Sequence, residues 1–373
     1  MNVLFDHQVF SFQEYGGISR YYSQLLKLFA QGNEVHPDLL IKYSNNSFLA
    51  DLSIRAPQTF FPSYRFKGRN EIIRLLNQSY FNKEYRKRTP PDIFHPTYYH
   101  PYFLDTIGDI PFVLTIYDMA HEHYPHLFHS FDFTIKNKKI LAAKADRIIA
   151  ISSHTKNDVV RMLGVPESNI DVIPLATDIM LDRSLLPAVP LPERYILYVG
   201  ARNTYKNFLF FLRAVKPLID DTNQLCIVCA GGGTFSATEL NEISRLKLSD
   251  KIIQMNVADE ILAVLYSKAK AFVYPSLYEG FGIPVLEAFA CGCPAILSNR
   301  SSLPEVGGDA AQYFDPEDQE SLVTVLSEVL NNNDAADTMR IKGSKRVKMY
   351  SWEDTARKTL ETYKKVLRNV IQK

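Results

Sequence analysis

The chain has 373 residues, of which 46% are hydrophobic and 22% are charged, and this length predicts two globular domains. Its 42 Lys and Arg residues nearly balance its 41 Asp and Glu residues, so the overall charge gives no reason to expect nucleic acid as a partner. The sequence contains no run of about 18 apolar residues that would predict a membrane span, and its first residues lack the basic leader of a signal peptide. We therefore expect a cytoplasmic protein.

Strands and helices are predicted to alternate through the first half of the chain. A strand over residues 2–10 is followed by Gly16 and Gly17 and then by a helix with one apolar face. A glycine pair between a strand and a helix lets a ligand approach the backbone amides, so Gly16 and Gly17 are candidates for a phosphate contact. A plain turn explains the pair equally well.

A surface that mixes aromatic and basic residues is predicted between residues 64 and 88. It comprises an irregular segment at 64–69 and the end of a helix over about residues 70–88. Such a surface suits anionic lipid headgroups or a phosphorylated acceptor, whereas a solvated helix end favoured by its dipole explains the same charges. Its basic residues are Arg65, Lys67, Arg69, Lys83, Arg86, Lys87 and Arg88.

Polar residues mark the end of the strand predicted over residues 112–118. Tyr117 and Asp118 end this strand, and His121 and Glu122 come shortly afterwards. Open parallel sheets bind their ligands at the carboxyl ends of the strands. These four residues are therefore candidates for substrate contacts.

Residues 178–193 contain three prolines and no clear period, which predicts an interdomain linker. A second series of strands and helices follows, so we expect an α/β protein with two doubly wound parallel sheets facing a cleft. The predicted domains cover residues 1–178 and 179–350, and residues 351–373 form a long amphipathic helix.

Two cations follow the first strand of the second domain, which is predicted over residues 195–199. Arg202 offers a planar fork of donors and Lys206 a point charge, and together they can neutralise a diphosphate. Loop cations are often only solvated, but the carboxyl end of a strand is where a ligand is expected. We favour the diphosphate interpretation.

A glycine loop joins the apolar strand over residues 271–274 to a helix with proline in its first turn. Backbone amides from Gly282 to Leu286 can bind a phosphate, while Glu279 and Glu287 can bind sugar hydroxyls. The alternative is a capped strand–helix unit whose acids are solvated. Glu287 weakens that alternative because it lies among apolar residues, where an acid usually needs a partner.

Metal binding is not expected from the four cysteines or the nine histidines. Cys226 and Cys229 lie in a predicted strand, where positions three apart point to opposite faces and cannot chelate one ion. No HExxH motif or comparable ligand spacing occurs among the histidines. Buried reduced thiols are the better interpretation of the cysteines.

The segment Glu279-Gly-Phe-Gly-Ile-Pro-Val-Leu-Glu287, followed by Ala-Phe-Ala-Cys-Gly-Cys-Pro294 and by Leu303-Pro-Glu-Val306, resembles the two-glutamate signature of family-four retaining glycosyltransferases. The resemblance implies the GT-B fold, with two Rossmann-like domains and a carboxyl-terminal helix that crosses back to complete the first domain. It also implies transfer of a sugar from a nucleotide diphosphate donor with retention of configuration, without a metal or other cofactor.

Roles for individual residues follow from the same resemblance. It implies that Glu279 contacts the donor sugar, that Glu287 holds the ribose, and that the base lies against the segment from Met255 to Val257. The family commonly has His where Tyr117 stands, so Asp118 and His121 join Tyr117 as catalytic candidates. Glu279 is the fourth catalytic candidate. The remaining donor contacts that it implies are Gly16, Gly17, Arg202, Lys206, Gly280, Phe281, Gly282, Ile283 and Leu286.

Near the amino terminus, Phe5-Asp-His-Gln8 and Tyr15-Gly-Gly-Ile-Ser-Arg-Tyr21 further resemble bacterial polysaccharide and O-antigen mannosyltransferase-like members. This resemblance implies a GDP-linked donor such as GDP-mannose or a deoxy relative, and a lipid-linked saccharide acceptor. Peripheral contact with the inner face of the cell membrane is a separate prediction, which rests on the basic residues between positions 65 and 88. A sugar-nucleotide epimerase of the same fold and a non-catalytic sugar-nucleotide-binding partner subunit are the alternatives.

Overall fold

Strands and helices alternate through most of the chain in a computed structural model, which describes residues 1–50, 52, 56–64, 66–128, 132–182, 190–202, 204–222 and 224–371. The chain divides into unit 1, Met1–Leu175 with Trp352–Lys373, and unit 2, Ala176–Ser351. The first division lies three residues before the predicted boundary. Arg65 and residues 183–189 of the predicted linker lie outside the described residues.

The elements of unit 1 follow the predicted alternation. The first are β1 (Asn2–Asp6), α1 (Gln8–Phe12), α2 (Gly17–Gln31), β2 (His36–Leu40), α3 (Arg69–Tyr85), β3 (Ile93–His95) and α4 (Leu104–Ile107). They are followed by β4 (Val113–Ile116), α5 (Ala120–His123), α6 (Thr134–Lys144), β5 (Arg147–Ala150), α7 (Ser153–Leu163) and β6 (Ile170–Val172).

The elements of unit 2 begin with β7 (Arg194–Val199), α8 (Phe208–Thr222), β8 (Leu225–Ala230), α9 (Ala237–Arg245), β9 (Ile252–Met255), α10 (Asp259–Lys268) and β10 (Ala271–Tyr274). They continue with α11 (Ile283–Ala290), β11 (Ala295–Ser298), α12 (Leu303–Gly307), β12 (Ala311–Phe314), α13 (Gln319–Asn331) and α14 (Asn333–Arg346). The last helix, α15 (Trp352–Ile371), belongs to unit 1.

All paired strands of unit 1 are parallel, in the orders β2-β1-β3 and β4-β5-β6. A parallel bridge between Phe94 and Phe112 connects the two groups. From β1 the chain passes to β2 on one side and then to β3 on the other. The strand order therefore reverses between β1 and β3, the kind of switch point where open α/β sheets bind ligands.

The first strand is shorter than the sequence predicts, because it ends at Asp6 rather than at residue 10. The buried Asp6 carboxylate accepts hydrogen bonds from the backbone N–H groups of Gln8, at 3.3 Å, and Thr97, at 2.8 Å. These bonds turn the chain out of the sheet, and α1 follows. Alternating hydrophobicity does not reveal such a turn, because the apolar residues simply continue into the helix.

Unit 2 has one parallel sheet in the order β12-β11-β10-β7-β8-β9. Counted from its own first strand, this is the 3-2-1-4-5-6 order of a Rossmann fold read from the opposite edge. Its strands β10 and β11 are buried along their whole length, as expected for a parallel sheet covered by helices on both faces. The switch point lies between β7 and β10.

Helix α15 packs onto unit 1 through its apolar face, and Tyr363 on this face is fully buried. The Tyr363 hydroxyl lies 2.7 Å from His95 Nδ1 at the end of β3. On the solvent-exposed side of α15, Lys365 forms an ion pair with Asp171 of β6. Burial acts to raise the pKa of Asp171, but hydrogen bonds from Arg147, Lys365 and Thr362 lower it more, so this pKa lies below its usual range. The predicted α/β class with a returning helix is confirmed.

Candidate functional site

The carboxyl ends of β7 and β10 bring together one cation and one carboxylate at the switch point of unit 2. Lys206 Nζ lies 2.6 Å from Glu279 Oε1, and the two side chains are only 16% and 10% exposed. Burial raises the pKa of Tyr274 well above its usual value, so its hydroxyl stays protonated beside Glu279, to which it is hydrogen-bonded. The backbone N–H of Glu279 donates to Ser301 Oγ at 2.8 Å.

Ser302 fixes the glycine loop that follows Glu279. Its hydroxyl contacts the carbonyl oxygens of Glu279, at 2.8 Å, and Phe281, at 3.0 Å. In a trans peptide the carbonyl and the next N–H point in opposite directions. Tying down these carbonyls therefore directs the N–H groups of Gly280 and Gly282 away from Ser302, as an anion-binding loop requires.

Gly282 allows this loop to enter α11. Its φ of +105° is in the left-handed region, and a Cβ at this position would lie 2.9 Å from Leu303 Cδ2. Any side chain would therefore meet both strain and a steric clash. Helix α11 begins at the next residue, Ile283, and Leu286 is fully buried one turn further on.

Glu287 lies in the middle of α11 and is almost fully buried. The hydroxyl of Tyr266 on α10 donates to Glu287 Oε2 at 3.0 Å. Burial raises the pKa of Tyr266 well above its usual value, so this hydroxyl remains a donor at neutral pH. The partner that the sequence led us to expect for a buried acid is therefore a tyrosine of the neighbouring helix.

Arg202 serves a different set of acceptors from Lys206. Its Nε lies 2.8 Å from Glu239 Oε1, and its two amino groups donate to the carbonyl oxygens of residues 231–234. Gly231, Gly232 and Gly233 in this turn all have positive φ. The guanidinium therefore organises the glycine turn after β8, and a diphosphate contact for Arg202 stays a prediction.

The segment predicted to lie against the base connects β9 to α10. Met255 ends β9, and its carbonyl accepts the N–H of Gly231 at 2.9 Å. Met255 and Val257 are both half-buried. The structure thus places the predicted base contacts next to the glycine turn that Arg202 holds.

In unit 1, Gly17 begins α2 and Gly16 precedes it in an extended conformation. Gln13 Oε1 accepts the backbone N–H of Ser19 at 3.1 Å. One amide of the predicted phosphate-binding turn is therefore already hydrogen-bonded within the chain. A phosphate at this position would compete with the Gln13 side chain.

The Tyr117 side chain is buried in the core of unit 1, and a catalytic contact for it stays a prediction. Its hydroxyl is buried, 2.7 Å from Tyr22 Oη and 3.2 Å from the carbonyl oxygen of Thr97. Its backbone N–H is bonded to the hydroxyl of Tyr99. The side chain at the end of a strand can face either the site or the core, and here it packs into the core.

Asp118 lies on the loop that follows β4, and His121 lies on the short helix α5. Asp118 Oδ1 accepts the N–H of Ala120 at 3.0 Å. The ring of His121 stacks on Phe128 at 3.7 Å, and its Nε2 lies 3.1 Å from Asp132 Oδ2. The other ring nitrogen, Nδ1, is buried without a hydrogen-bond partner among the described residues.

Lys138 of α6 holds the segment from Asp118 to Glu122 in place. Its fully buried ammonium lies 2.7 Å from Glu122 Oε2 and donates to the carbonyl of Asp118 at 3.0 Å. It also lies 5.3 Å from the centre of the Tyr99 ring. Asp118 on the loop and Glu122 on α5 are therefore both held by one buried charge.

The basic surface predicted at 64–88 is smaller in the structure. Three of its members are ion-paired, namely Arg69 with Glu14, Lys87 with Glu84 and Arg88 with Asp38. Arg69 is also buried, which contradicts its predicted place on the surface. Five are exposed, and two of these belong to the ion pairs just named: Lys67, Lys83, Arg86, Lys87 and Arg88.

Neither a metal cluster nor a membrane span is found in the part of the chain that the structure describes. There, no three His, Cys, Asp or Glu side chains are grouped so that they could hold a metal ion. Across the same ranges, no helix combines the length and the apolar character needed to cross a bilayer.

Several residues with defined positions in these sites were not identified from the sequence. Tyr266 contacts Glu287 on a neighbouring helix, and Lys138 contacts Glu122 in the same way. A single sequence does not show which helices are neighbours. One signal exists for Lys138, because it lies on the buried stripe of α6 with Leu141 and Ala142. A charged residue among the apolar residues of a helix face indicates that its charge has a buried partner.

Solved structures share this architecture. Sucrose-phosphate synthase from Thermosynechococcus elongatus matches with a TM-score of 0.77 and 20% identity over 99% of both chains. HepE from Anabaena, in complex with UDP and glucose, matches with a TM-score of 0.70 and 15% identity over 96% of this chain and 98% of its own. At these identities the similarity shows the fold alone, which is that of the GT-B glycosyltransferases.

Two family models match the chain in succession. The model described as Glycosyltransferase Family 4 matches residues 15–180, and the model described as Glycosyl transferases group 1 matches residues 187–346. Between them they leave unmatched only a short linker and the two ends. The chain therefore belongs to the family-4 glycosyltransferases, as the two-glutamate signature predicts.

The relatives of this chain include several mannosyltransferases. O-antigen chain mannosyltransferase B from Escherichia coli is 29% identical over 312 residues, 79% of each chain. O-antigen chain mannosyltransferase RfbU from Salmonella typhimurium is 31% identical over 60% of this chain and 62% of its own. MMP alpha-(1->4)-mannosyltransferase from Mycolicibacterium hassiacum is 28% identical over 63% of this chain and 58% of its own.

Proposed function

We propose that this chain transfers a hexose, either mannose or a related deoxyhexose, from a GDP-linked donor to a lipid-linked saccharide in bacterial O-antigen or surface polysaccharide synthesis. The names of its relatives support mannose and O-antigen chains. The observation that carries the proposal is the contact between Lys206 Nζ and Glu279 Oε1 at the switch point of unit 2. It brings a cation for a diphosphate to an acceptor for sugar hydroxyls.

The donor contacts follow from this pair. An ammonium has three N–H donors, so Lys206 can hold Glu279 and a phosphate oxygen together. The N–H groups of Gly280 and Gly282 bind the same diphosphate. Glu279 accepts from hydroxyls of the transferred sugar, and Glu287, oriented by Tyr266, accepts from the ribose.

Transfer proceeds on one face of the sugar, with retention. The bond from C1 to the diphosphate oxygen breaks while the acceptor hydroxyl oxygen bonds to C1 on the same side. The hydroxyl proton passes to the departing phosphate oxygen. Lys206 and the loop amides stabilise the charge on that oxygen without a resident metal, and each such donor is worth on the order of 100-fold or more in rate by analogy with oxyanion sites.

A transfer assay tests the proposal, with the full chain, labelled GDP-mannose as the donor and a lipid-linked saccharide as the acceptor. We expect a product with the same anomeric configuration as the donor and a rate that EDTA leaves unchanged. Lys206→Ala should lower turnover about 100-fold, whereas Lys345→Ala, at an exposed position of α14, should not. Full turnover by Lys206→Ala would overturn the phosphate role. Conversion of the donor without any acceptor would favour the epimerase, and donor binding without transfer the partner subunit.

We also propose that unit 1 docks on an anionic membrane. Phe61 and Tyr64 are 61% and 72% exposed, and Leu75 of α3 is 53% exposed. Phe61 also has φ +44°, a conformation in which a bulky residue is rare. Exposed aromatic residues beside Lys67 match the interfacial region of a bilayer.

Sedimentation with anionic vesicles tests this docking. We expect binding that weakens on adding salt, and that falls in a Phe61→Ser/Tyr64→Ser variant. Failure of the wild-type chain to sediment even at low salt would disprove it.

A further inference from the structure

A cavity of about 780 Å³ lies in unit 1 at the carboxyl ends of β1 and β3, which is the switch point of that sheet. Gln8 and His100 line this cavity and are joined to each other by two hydrogen bonds. Gln8 Nε2 donates to the carbonyl of His100 at 3.1 Å, and the N–H of His100 donates to Gln8 Oε1 at 2.7 Å. These bonds fix the positions of Gln8 and His100. Open α/β sheets bind their ligands at such a switch point.

The charges around this cavity do not favour a phosphate. Arg74 contributes a cation to its wall, and Glu71 binds that guanidinium, with Nε 3.0 Å from Oε2. Asp132 contributes a further carboxylate. Burial lowers the pKa of His100, so this ring is uncharged near neutral pH. The wall is therefore neutral to acidic, which suits an uncharged ligand with hydroxyl groups.

Aromatic rings supply the apolar part of the wall. Phe12 and Tyr98 pack edge to face, with their ring centres 4.8 Å apart, and Phe133, the residue before α6, is 60% exposed. Rigid aromatic faces beside a few fixed polar groups are the usual make-up of a small-molecule site. A sugar ring matches both parts, because its C–H face is apolar and its edge carries hydroxyls.

We infer that this cavity binds the end of a neutral oligosaccharide acceptor, so that the enzyme extends an existing glycan rather than adding the first sugar to a lipid phosphate. This inference rests on the proposed function. The cavity volume lies in the upper part of the roughly 300–1,000 Å³ range of ligand sites, which leaves room for more than one sugar residue. Asp132 connects the cavity to the segment after β4, because it also contacts His121 of α5.

Calorimetric titration of the full chain without donor tests the cavity directly. The probes are methyl α-mannoside, α-linked mannobiose and mannotriose, and a mannotriose that carries a terminal phosphate. We expect affinity to rise from one residue to three and to fall for the phosphorylated probe. Phe12→Ala and Tyr98→Ala should each weaken mannotriose binding about tenfold. Ile341→Ala, at an exposed apolar position of α14 in unit 2, should leave it unchanged.

A second readout on the same proteins separates this inference from the proposed function. GDP-mannose should raise the melting temperature of both cavity variants as much as that of the wild-type chain, which also shows that they are folded. The inference is wrong if neutral probes do not bind, if three residues bind no better than one, or if both variants bind normally. A chain that binds mannotriose but neither binds nor consumes GDP-mannose would contradict the proposed function alone.

Discussion

Replacing Lys138 with Met should strongly destabilise unit 1. The substitution keeps a side chain of similar length but removes an ammonium that is fully buried 2.7 Å from Glu122 Oε2. Glu122 is itself only 5% exposed, so its charge would remain buried without compensation. Breaking one side of such a pair costs about 3–5 kcal/mol. For a unit of this size, each kcal/mol lowers the melting temperature by about 2–4 °C, so the expected loss is about 6–20 °C.

Calorimetry and denaturant titration of four proteins measure this loss. Lys139→Met, at the adjacent exposed position, controls for the lost surface charge and should change stability by no more than about 0.5 kcal/mol. Lys138→Met/Glu122→Leu removes both charges and should recover most of the stability. A single variant as stable as the control, or a double variant less stable than the single one, would refute the reasoning.

Arg202→Lys should lower the stability of unit 2 in denaturant titrations, because an ammonium cannot replace a guanidinium that donates to Glu239 and to four carbonyl oxygens. Unchanged stability would mean that the glycine turn does not depend on Arg202. Tyr266→Phe should weaken GDP-mannose binding about tenfold in calorimetry, because Glu287 loses a hydrogen bond to its charged group; equal affinity would contradict the ribose role. The lowered pKa of Asp171 stabilises the fold above its usual pKa near 4, and this stability is lost as pH falls through the folded-state pKa. Asp171→Asn should therefore reduce the difference in unfolding free energy between pH 7 and pH 2.5, and an unchanged difference would contradict this.

Periodicity and turn residues identified most of the elements around the site, because a parallel strand, a glycine loop and an amphipathic helix each have a local pattern. The glycine at position 282 is an example, since its left-handed backbone and the approach of Leu303 both require the residue that the sequence shows there. Local patterns also predicted that Lys206 and Glu279 belong to loops at strand ends.

Contacts between distant segments could not be predicted in this way. Arg202 and Lys206 are alike in sequence terms, yet one turns towards a glycine turn about 30 residues away and the other towards Glu279. The direction of Tyr117 depends on Tyr22, far away in the chain. Side-chain direction at a strand end is decided by packing, which a single sequence does not contain.

Binding of GDP and GDP-mannose to the wild-type chain and to Glu279→Gln tests most directly whether the Lys206–Glu279 site binds a GDP-linked hexose. The wild-type chain should bind both ligands, and GDP-mannose at 100 times its dissociation constant should add about 2.7 kcal/mol of stability. The variant should lose affinity for GDP-mannose but retain it for GDP, because Glu279 contacts the transferred sugar. Stabilisation by UDP but not GDP, or an equal loss of both ligands in the variant, would contradict the assignment.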